Sequence, residues 1–248
     1  MDRRTFLASA AVGTAAIAAP LRVAAQAGPN ARSRRILDVA RAEVARAGDV
    51  LWRRDVAAVA DFGLHSALPR FHIANLEAGT VRSLLVSHGS GSDPEHDGWL
   101  NAFSNLHDSW ATSRGAYVSW EWYEGRFGTS MRLEGLDESN NQAYPRAIVM
   151  HAAAYATPAH VERWGRAGRS NGCFAIGPDQ LSGALYQRAG GRLLFADRLG
   201  IGEDGADVVM PAQEPVDFEA AVALRQAEAA QQDAALGLAP ATEPAPTP

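Results

Sequence analysis

From Val56 onward the apolar residues come in short runs cut apart by glycine, proline and polar turns, and this punctuation restricts the fold more than any other feature. Val56–Phe62 is one such run; Pro69 then introduces Arg70–Leu76, where Phe71 and Ile73 alternate with Arg70 and His72. A Gly-containing turn at residues 77–80 leads into Val81–Val86, so the two segments predict a β-hairpin. Further strands are expected from Thr112 to Trp120, continuing through Trp122 and Tyr123, and over Ser130–Leu133, Arg146–His151, Cys173–Ile176 and Arg192–Phe195. The continuous apolar centre of Arg146–His151 is that of a buried strand. So many short strands predict a mostly β domain over residues 56–200, a sandwich or barrel with a few peripheral helices.

Helices are expected at the margins. Ile36, Val39, Ala40, Val44 and Ala47 recur at helical spacing within Arg32–Arg46, in an N-terminal helical segment spanning 28–55. Shorter helices are expected near Pro158–Trp164 and Gln180–Arg188. Residues 201–248 read as an Ala/Gln/Pro-rich tail, modestly amphipathic over Val216–Leu236 and disordered beyond Ala239. At the other end, Arg3-Arg4 precedes an apolar run from Phe6 to about Ala19, closed by Pro20 and followed by small residues up to Ala27. Charged region, short apolar region and small-residue cleavage site make residues 1–27 an export signal of twin-arginine type, which predicts a periplasmic protein. The run falls short of the roughly 20 residues that span a membrane, so no span is expected once the signal is removed. A net charge of −5, with arginine as the sole basic side chain besides histidine, gives no electrostatic case for nucleic acid.

Cys173 is the only cysteine. It cannot form an internal disulfide, and a lone thiol in an oxidising compartment is exposed to oxidation. It is then either a small buried hydrophobe or a reactive group. His151, at the tip of an apolar strand, can supply a base for a thiol that attacks only as thiolate. Ser170-Asn171-Gly172 precedes the cysteine, and the glycine permits a backbone that turns N–H groups toward a carbonyl under attack. Other candidates are weaker. Residues 87–93 are glycine-rich but lack the GK[S/T] element of a phosphate loop. Asp93, Glu95, His96 and Asp97 match no zinc or calcium spacing and read as a solvated acidic loop. The aromatic cluster over 117–127 fits either a glycan or peptide groove or structural packing.

These residues resemble the murein L,D-transpeptidase catalytic domain (YkuD-like) family. Ile148-Val149-Met150-His151 is similar to its strand ending in His-Gly; Ser170, Gly172 and Cys173 match its Ser-His-Gly-Cys loop. Val86-Ser87-His88-Gly89 and Ser113-Arg114-Gly115-Ala116-Tyr117 look like two upstream elements of the family. Asn171, Ala175 and Ala152 depart from the pattern. The resemblance implies that Cys173 attacks the amide after the third residue of a peptidoglycan stem tetrapeptide, releasing D-Ala. It also implies that His151 is the general base, oriented by a backbone carbonyl, and that N–H groups around Gly172 and Cys173 bind the oxyanion. Arg169, Ser170, Asn171, Tyr117 and His88 would contact the stem peptide, and no metal or organic cofactor is needed. The thioester would pass to a second stem, a protein amine or water. A sortase-like transpeptidase, a carboxypeptidase and a catalytically silent wall-binding module are the alternatives; papain-like peptidases place Cys before His, the reverse of the order here.

Overall fold

A computed structural model describes residues 28–188 and 190–236; the expected export signal and the last residues of the tail lie outside that range. Eight strands form one sheet in the order β3-β2-β1-β8-β4-β5-β6-β7. They are β1 (Val56–Asp61), β2 (Phe71–Asn75), β3 (Thr80–Leu84), β4 (Gly115–Gly125), β5 (Gly128–Gly135), β6 (Val149–Ala152), β7 (Phe174–Ile176) and β8 (Leu193–Asp197). The predicted β2–β3 hairpin is present, with Phe71 opposite Leu84 and Asn75 opposite Thr80. The chain beyond β3 then runs beside the other edge of the sheet. Ser87 N–H donates to Ala175 O at 3.0 Å, Ser170 N–H to His88 O at 2.9 Å and Ser90 N–H to Ser170 O at 2.7 Å. That seam makes the sheet a nearly closed barrel, the mostly β fold expected from the strand pattern.

The burial of β1 explains its unbroken apolar run. Ala58 and Ala60 point into a core shared with Phe62, Phe71, Tyr117, Met131, Leu133, Met150, Phe174 and Ile176. Ala57 and Val59 point the other way, against Ile36, Leu37, Ala40 and Val44 of α1 (Ala31–Ala47). A strand covered on both faces has no polar side. The α1 boundaries follow from capping: the Asn30 side chain accepts from Ser33 N–H, and Gly48 closes the helix at φ 58°. Three other helices are α2 (Pro158–Trp164), α3 (Pro178–Arg188) and α4 (Phe218–Ala235), the last with no buried residue. Among the described residues no helix is long and apolar enough to cross a membrane.

Several strand ends shift by one to three residues from expectation, two of them informatively. β6 begins at Val149, because Arg146 turns inward to serve a neighbouring loop and Ala147 takes a positive φ of 53°. Strand β5 is longer than the four residues expected, Ser130–Leu133, since β4 pairs with it out to Gly125–Gly128.

One buried carboxylate fastens the last strand to the first. Asp61, at the end of β1, accepts the N–H groups of Gly63, Leu199, Gly200 and Ile201 at 2.8–3.0 Å. An Asp61→Ala protein leaves four main-chain donors without that acceptor. It should lose about 3–5 kcal/mol of stability in urea unfolding, each stranded buried donor costing about 1 kcal/mol or more; a loss under about 1 kcal/mol would show that water replaces the carboxylate.

Candidate active site

Strands β6 and β7 run parallel, with Met150 opposite Phe174, His151 opposite Ala175 and Ala152 opposite Ile176. Side chains alternate across a sheet. Met150, Phe174 and Ile176 therefore fill the core, while Val149, His151 and Cys173 face a cavity of about 560 Å³. Cys173 sits just before β7, where Gly172 adopts φ 110° and lies so close to the Ala111 carbonyl that a Cβ would meet its oxygen at 2.7 Å. No other residue fits there without displacing the backbone.

The His151 ring lies 2.8 Å from the Ala152 carbonyl through Nδ1. A carbonyl only accepts, so Nδ1 carries the proton and Nε2 is left as the basic atom. Phe127, at the tip of the β4–β5 hairpin, stacks on the imidazole with ring centres 4.4 Å apart and planes at 19°. The Cys173 thiol donates to the Ala147 carbonyl at 3.7 Å and makes no hydrogen bond to His151. Cys173 and His151 thus share one cavity wall without a hydrogen bond between them.

Residues 33–196 match the L,D-transpeptidase catalytic domain family, about two thirds of the chain. The chain belongs to that family. No curated protein matches it significantly. Among solved structures, an L,D-transpeptidase from Mycobacterium smegmatis is 17% identical, covering 58% of each chain with a TM-score of 0.35. L,D-transpeptidase 1 from Mycobacterium tuberculosis is 14% identical over 57% of this chain and 60% of its own, TM-score 0.32. The helical cell shape determining protein Pgp2 from Campylobacter jejuni is 12% identical over 79% of this chain and 64% of its own, TM-score 0.38. The chain spans less than two thirds of the length of each of these structures.

The other residues singled out in the sequence divide into two groups. Asn171 is exposed on the cavity wall. Arg169 also lines it, but its guanidinium is turned to the carbonyls of Asp93 and Pro94. Ser170 is buried; its hydroxyl lies 2.7 Å from the Cys173 carbonyl and accepts the Gly172 N–H at 3.2 Å, so it shapes the loop. His88 and Tyr117 are fully buried and do not reach the cavity, which corrects the expectation of substrate contact. Tyr117 donates to Ser113 O at 2.7 Å inside the core. His88 stands between Arg70, which donates to its Nδ1 at 2.8 Å, and Asp93, 3.0 Å from its Nε2. Arg70 can only donate, so Nε2 carries the His88 proton. The imidazole is neutral, its pKa pushed down to about 4 by burial and then by Arg70. Asp93 is correspondingly not solvated: it has no exposed surface and also accepts the N–H groups of Asp97 and Gly98. Among the described residues no group of three or more His, Cys, Asp or Glu side chains could hold a metal ion.

Two cavity residues carried no signal in the sequence. Arg146 donates to Ser104 O, Ser113 Oγ, Ser109 Oγ and Ala111 O at 2.6–3.1 Å, holding the loop beneath Gly172 while its charge lies beside the thiol. Tyr155, on the short turn after β6, has its phenol pushed up to about 12 by burial and by the neighbouring thiolate charge.

Burial raises the Cys173 pKa above that of a free thiol, though the Arg146 and Arg126 charges oppose it. Burial lowers His151, with Arg126 adding to the effect and the Ala152 carbonyl opposing it. Both shifts favour thiol plus neutral imidazole over a thiolate–imidazolium pair. Iodoacetamide alkylation of Cys173 should therefore climb steadily from pH 7 to pH 9, with no plateau in the acidic range. A reactive plateau beginning near pH 5 would mean a preformed ion pair instead.

Proposed function

We propose that this chain is a peptidoglycan L,D-transpeptidase in which Cys173 is the nucleophile and His151 the general base. The observation that carries the reading is the shared cavity face of β6 and β7, with His151 Nδ1 bonded to a carbonyl and Nε2 left to accept a proton. In the first half-reaction Cys173 Sγ gives its proton to His151 Nε2 and attacks the carbonyl carbon of the third stem residue, whose amide nitrogen belongs to D-Ala. The Gly172 N–H is held by Ser170, so the Cys173 N–H is the main-chain donor we assign to the oxyanion. Collapse breaks the C–N bond, His151 returns its proton to the departing D-Ala amine, and a thioester remains. An acceptor amine then gives a proton to His151 and attacks the thioester, which restores the thiol. Export by residues 1–27 would bring the enzyme to this substrate, with the helical segment 28–55 packed on a catalytic domain over 56–200 and residues 201–248 a tail.

Charge supports a carboxylate-bearing donor. Arg126, Arg146 and Arg169 line the cavity, and its one carboxylate, Asp108, lies 3.2 Å from His107. Arg146 and Arg169 are committed to main-chain carbonyls, whereas Arg126, exposed at the hairpin tip, makes no hydrogen bond among the described residues and sits 4.5 Å above the Phe127 ring. The D-Ala carboxylate flanks the scissile bond and is the natural partner of that guanidinium.

Incubation with a carbapenem should add one drug mass to the wild-type protein and none to Cys173→Ala, and only the wild type should release D-Ala from a tetrapeptide stem. A wild-type protein showing neither adduct nor D-Ala would overturn the assignment. Arg126→Gln should lower kcat/KM for the tetrapeptide by about tenfold, the value of one charge-assisted hydrogen bond. It should affect the C-terminal tetrapeptide amide by much less, and an equal loss on both substrates would remove Arg126 from carboxylate binding.

A further inference from the structure

The face of the sheet that carries Cys173 and His151 continues past the cavity to a second recess. Strand β5 pairs with β6 through Arg132 opposite Val149, so Arg132 projects on the catalytic face. Tyr123, which lines the catalytic cavity, lies on the near side of Arg132, with its ring 4.4 Å from the guanidinium carbon. Tyr144 lies on the far side, its ring centre 5.9 Å away. Beyond Arg132 is a shallow groove of about 480 Å³ lined by Trp120, Glu121, Glu134, Asn141, Tyr144 and Pro145.

The groove is built by an irregularity in the sheet. Between Ser119 and Trp122 the β4–β5 register shifts, leaving Trp120 and Glu121 together across from Arg132. A bulge of this kind re-aims side chains without breaking the sheet. Trp120 is fixed at one end by the Trp52 edge, 5.2 Å between ring centres, and by donation of its Nε1–H to Glu134 at 2.7 Å. Glu121 is held 2.9 Å from Arg132. Tyr144 is 53% exposed, a large ring on the surface with no hydrogen bond to its hydroxyl among the described residues.

We propose that this groove binds a sugar of the glycan strand that carries the donor stem. The inference rests on the stem-peptide reading of the catalytic cavity and adds a second subsite to it. Aromatic faces suit the apolar C–H face of a pyranose ring, and the acceptor positions of Glu121 and Glu134 left over from their bonds to Arg132 and Trp120 suit its hydroxyl and acetamido N–H groups, whereas a purely apolar partner would bury those acceptors with nothing to offer them. Continuity argues for the strand over a free sugar. A stem hangs from the glycan by its N-terminus, and the three residues ahead of the scissile bond reach about 10 Å when extended. Because Arg132 lies opposite Val149 on the next strand, a stem leaving Cys173 across Val149 and Arg132 heads toward Tyr144.

Two measurements separate this proposal from the transpeptidase reading on which it rests. Peptide-free N-acetylglucosamine–N-acetylmuramic acid oligosaccharides should bind the Cys173→Ala protein in calorimetric titration, and Tyr144→Ala introduced into that protein should weaken binding by about fivefold, the worth of one aromatic contact. In turnover, the wild type should prefer a disaccharide-tetrapeptide to the free tetrapeptide through KM, and Tyr144→Ala should bring that ratio toward one. Absence of oligosaccharide binding, or equal binding by the Tyr144→Ala protein, overturns the glycan subsite even if D-Ala is released. Saturable binding lost in Tyr144→Ala, with no D-Ala release from either substrate, would keep the subsite and overturn the reaction.

Discussion

Guanidinium groups donating to main-chain carbonyls hold together the long segment between β3 and β4, and the loop that carries Cys173 rests on that segment. Arg169 bonds the carbonyls of Asp93 and Pro94, Arg198 those of Leu100 and Asn101, Arg146 those of Ser104 and Ala111, and Arg225 those of Asp108 and Ser109. These arginines come from four separate parts of the chain. A stretch without regular structure must still satisfy its backbone groups, and each planar guanidinium can reach two carbonyls at once, which an ammonium group does less well. The absence of lysine thus has a structural counterpart. The exposed helix α4, which buries none of its own residues, reaches this segment through Arg225, whose guanidinium also lies 4.5 Å over the Trp110 ring on the cavity wall.

The seam that closes the barrel depends on the same region. Residues 87–90 are tied to residues 170–175 by main-chain bonds, and behind them the fully buried Arg70 donates to Leu64 O, Val86 O and His88. Burying a guanidinium is costly unless charge and hydrogen bonds compensate it; Asp61 and Asp93 supply the charge, yet burial still lowers Arg70 to about 9. The Arg70–His88–Asp93 chain is therefore a rigid floor. It fixes the strand that pairs with Ser170, and Ser170 in turn fixes Gly172 and Cys173. Catalytic geometry of this kind needs supporting side chains that are themselves immobile.

Much of this was legible in the sequence, for identifiable reasons. Hairpin β2–β3 and helix α1 follow from local rules, alternation and capping, that need no tertiary information. Cys173 and His151 were singled out because a motif fixes them in the chain, and the fold puts both on one cavity wall. Arg146 was not, because an arginine ahead of an apolar run looks like the solvated start of a strand; only the fold shows it turned into the loop beneath Gly172. His88 and Tyr117 failed in the opposite sense. Each carries a polar group of a type common at binding sites, and what decides its role is burial with a full set of partners, which arises from segments far apart in sequence. The bulge at Trp120–Glu121 likewise leaves no local mark, since it exists only relative to Arg132 on the neighbouring strand.

The charge state of the resting pair bears on how such a thiol survives. Oxidants, like electrophiles, attack the thiolate, so a nucleophile stored as an ion pair is also stored in its most oxidisable form. Here burial disfavours charge on both Cys173 and His151, and the thiol donates to the Ala147 carbonyl rather than to the imidazole. In the proposed reaction the ion would be generated only during attack, when the substrate carbonyl is already in place to receive it. Arg146 and Arg126 lie close enough to stabilise that transient negative charge without creating it in advance. In the oxidising compartment that the proposed export signal would reach, with no second cysteine to reverse a lesion by disulfide exchange, a neutral ground state is the arrangement that keeps a lone thiol usable.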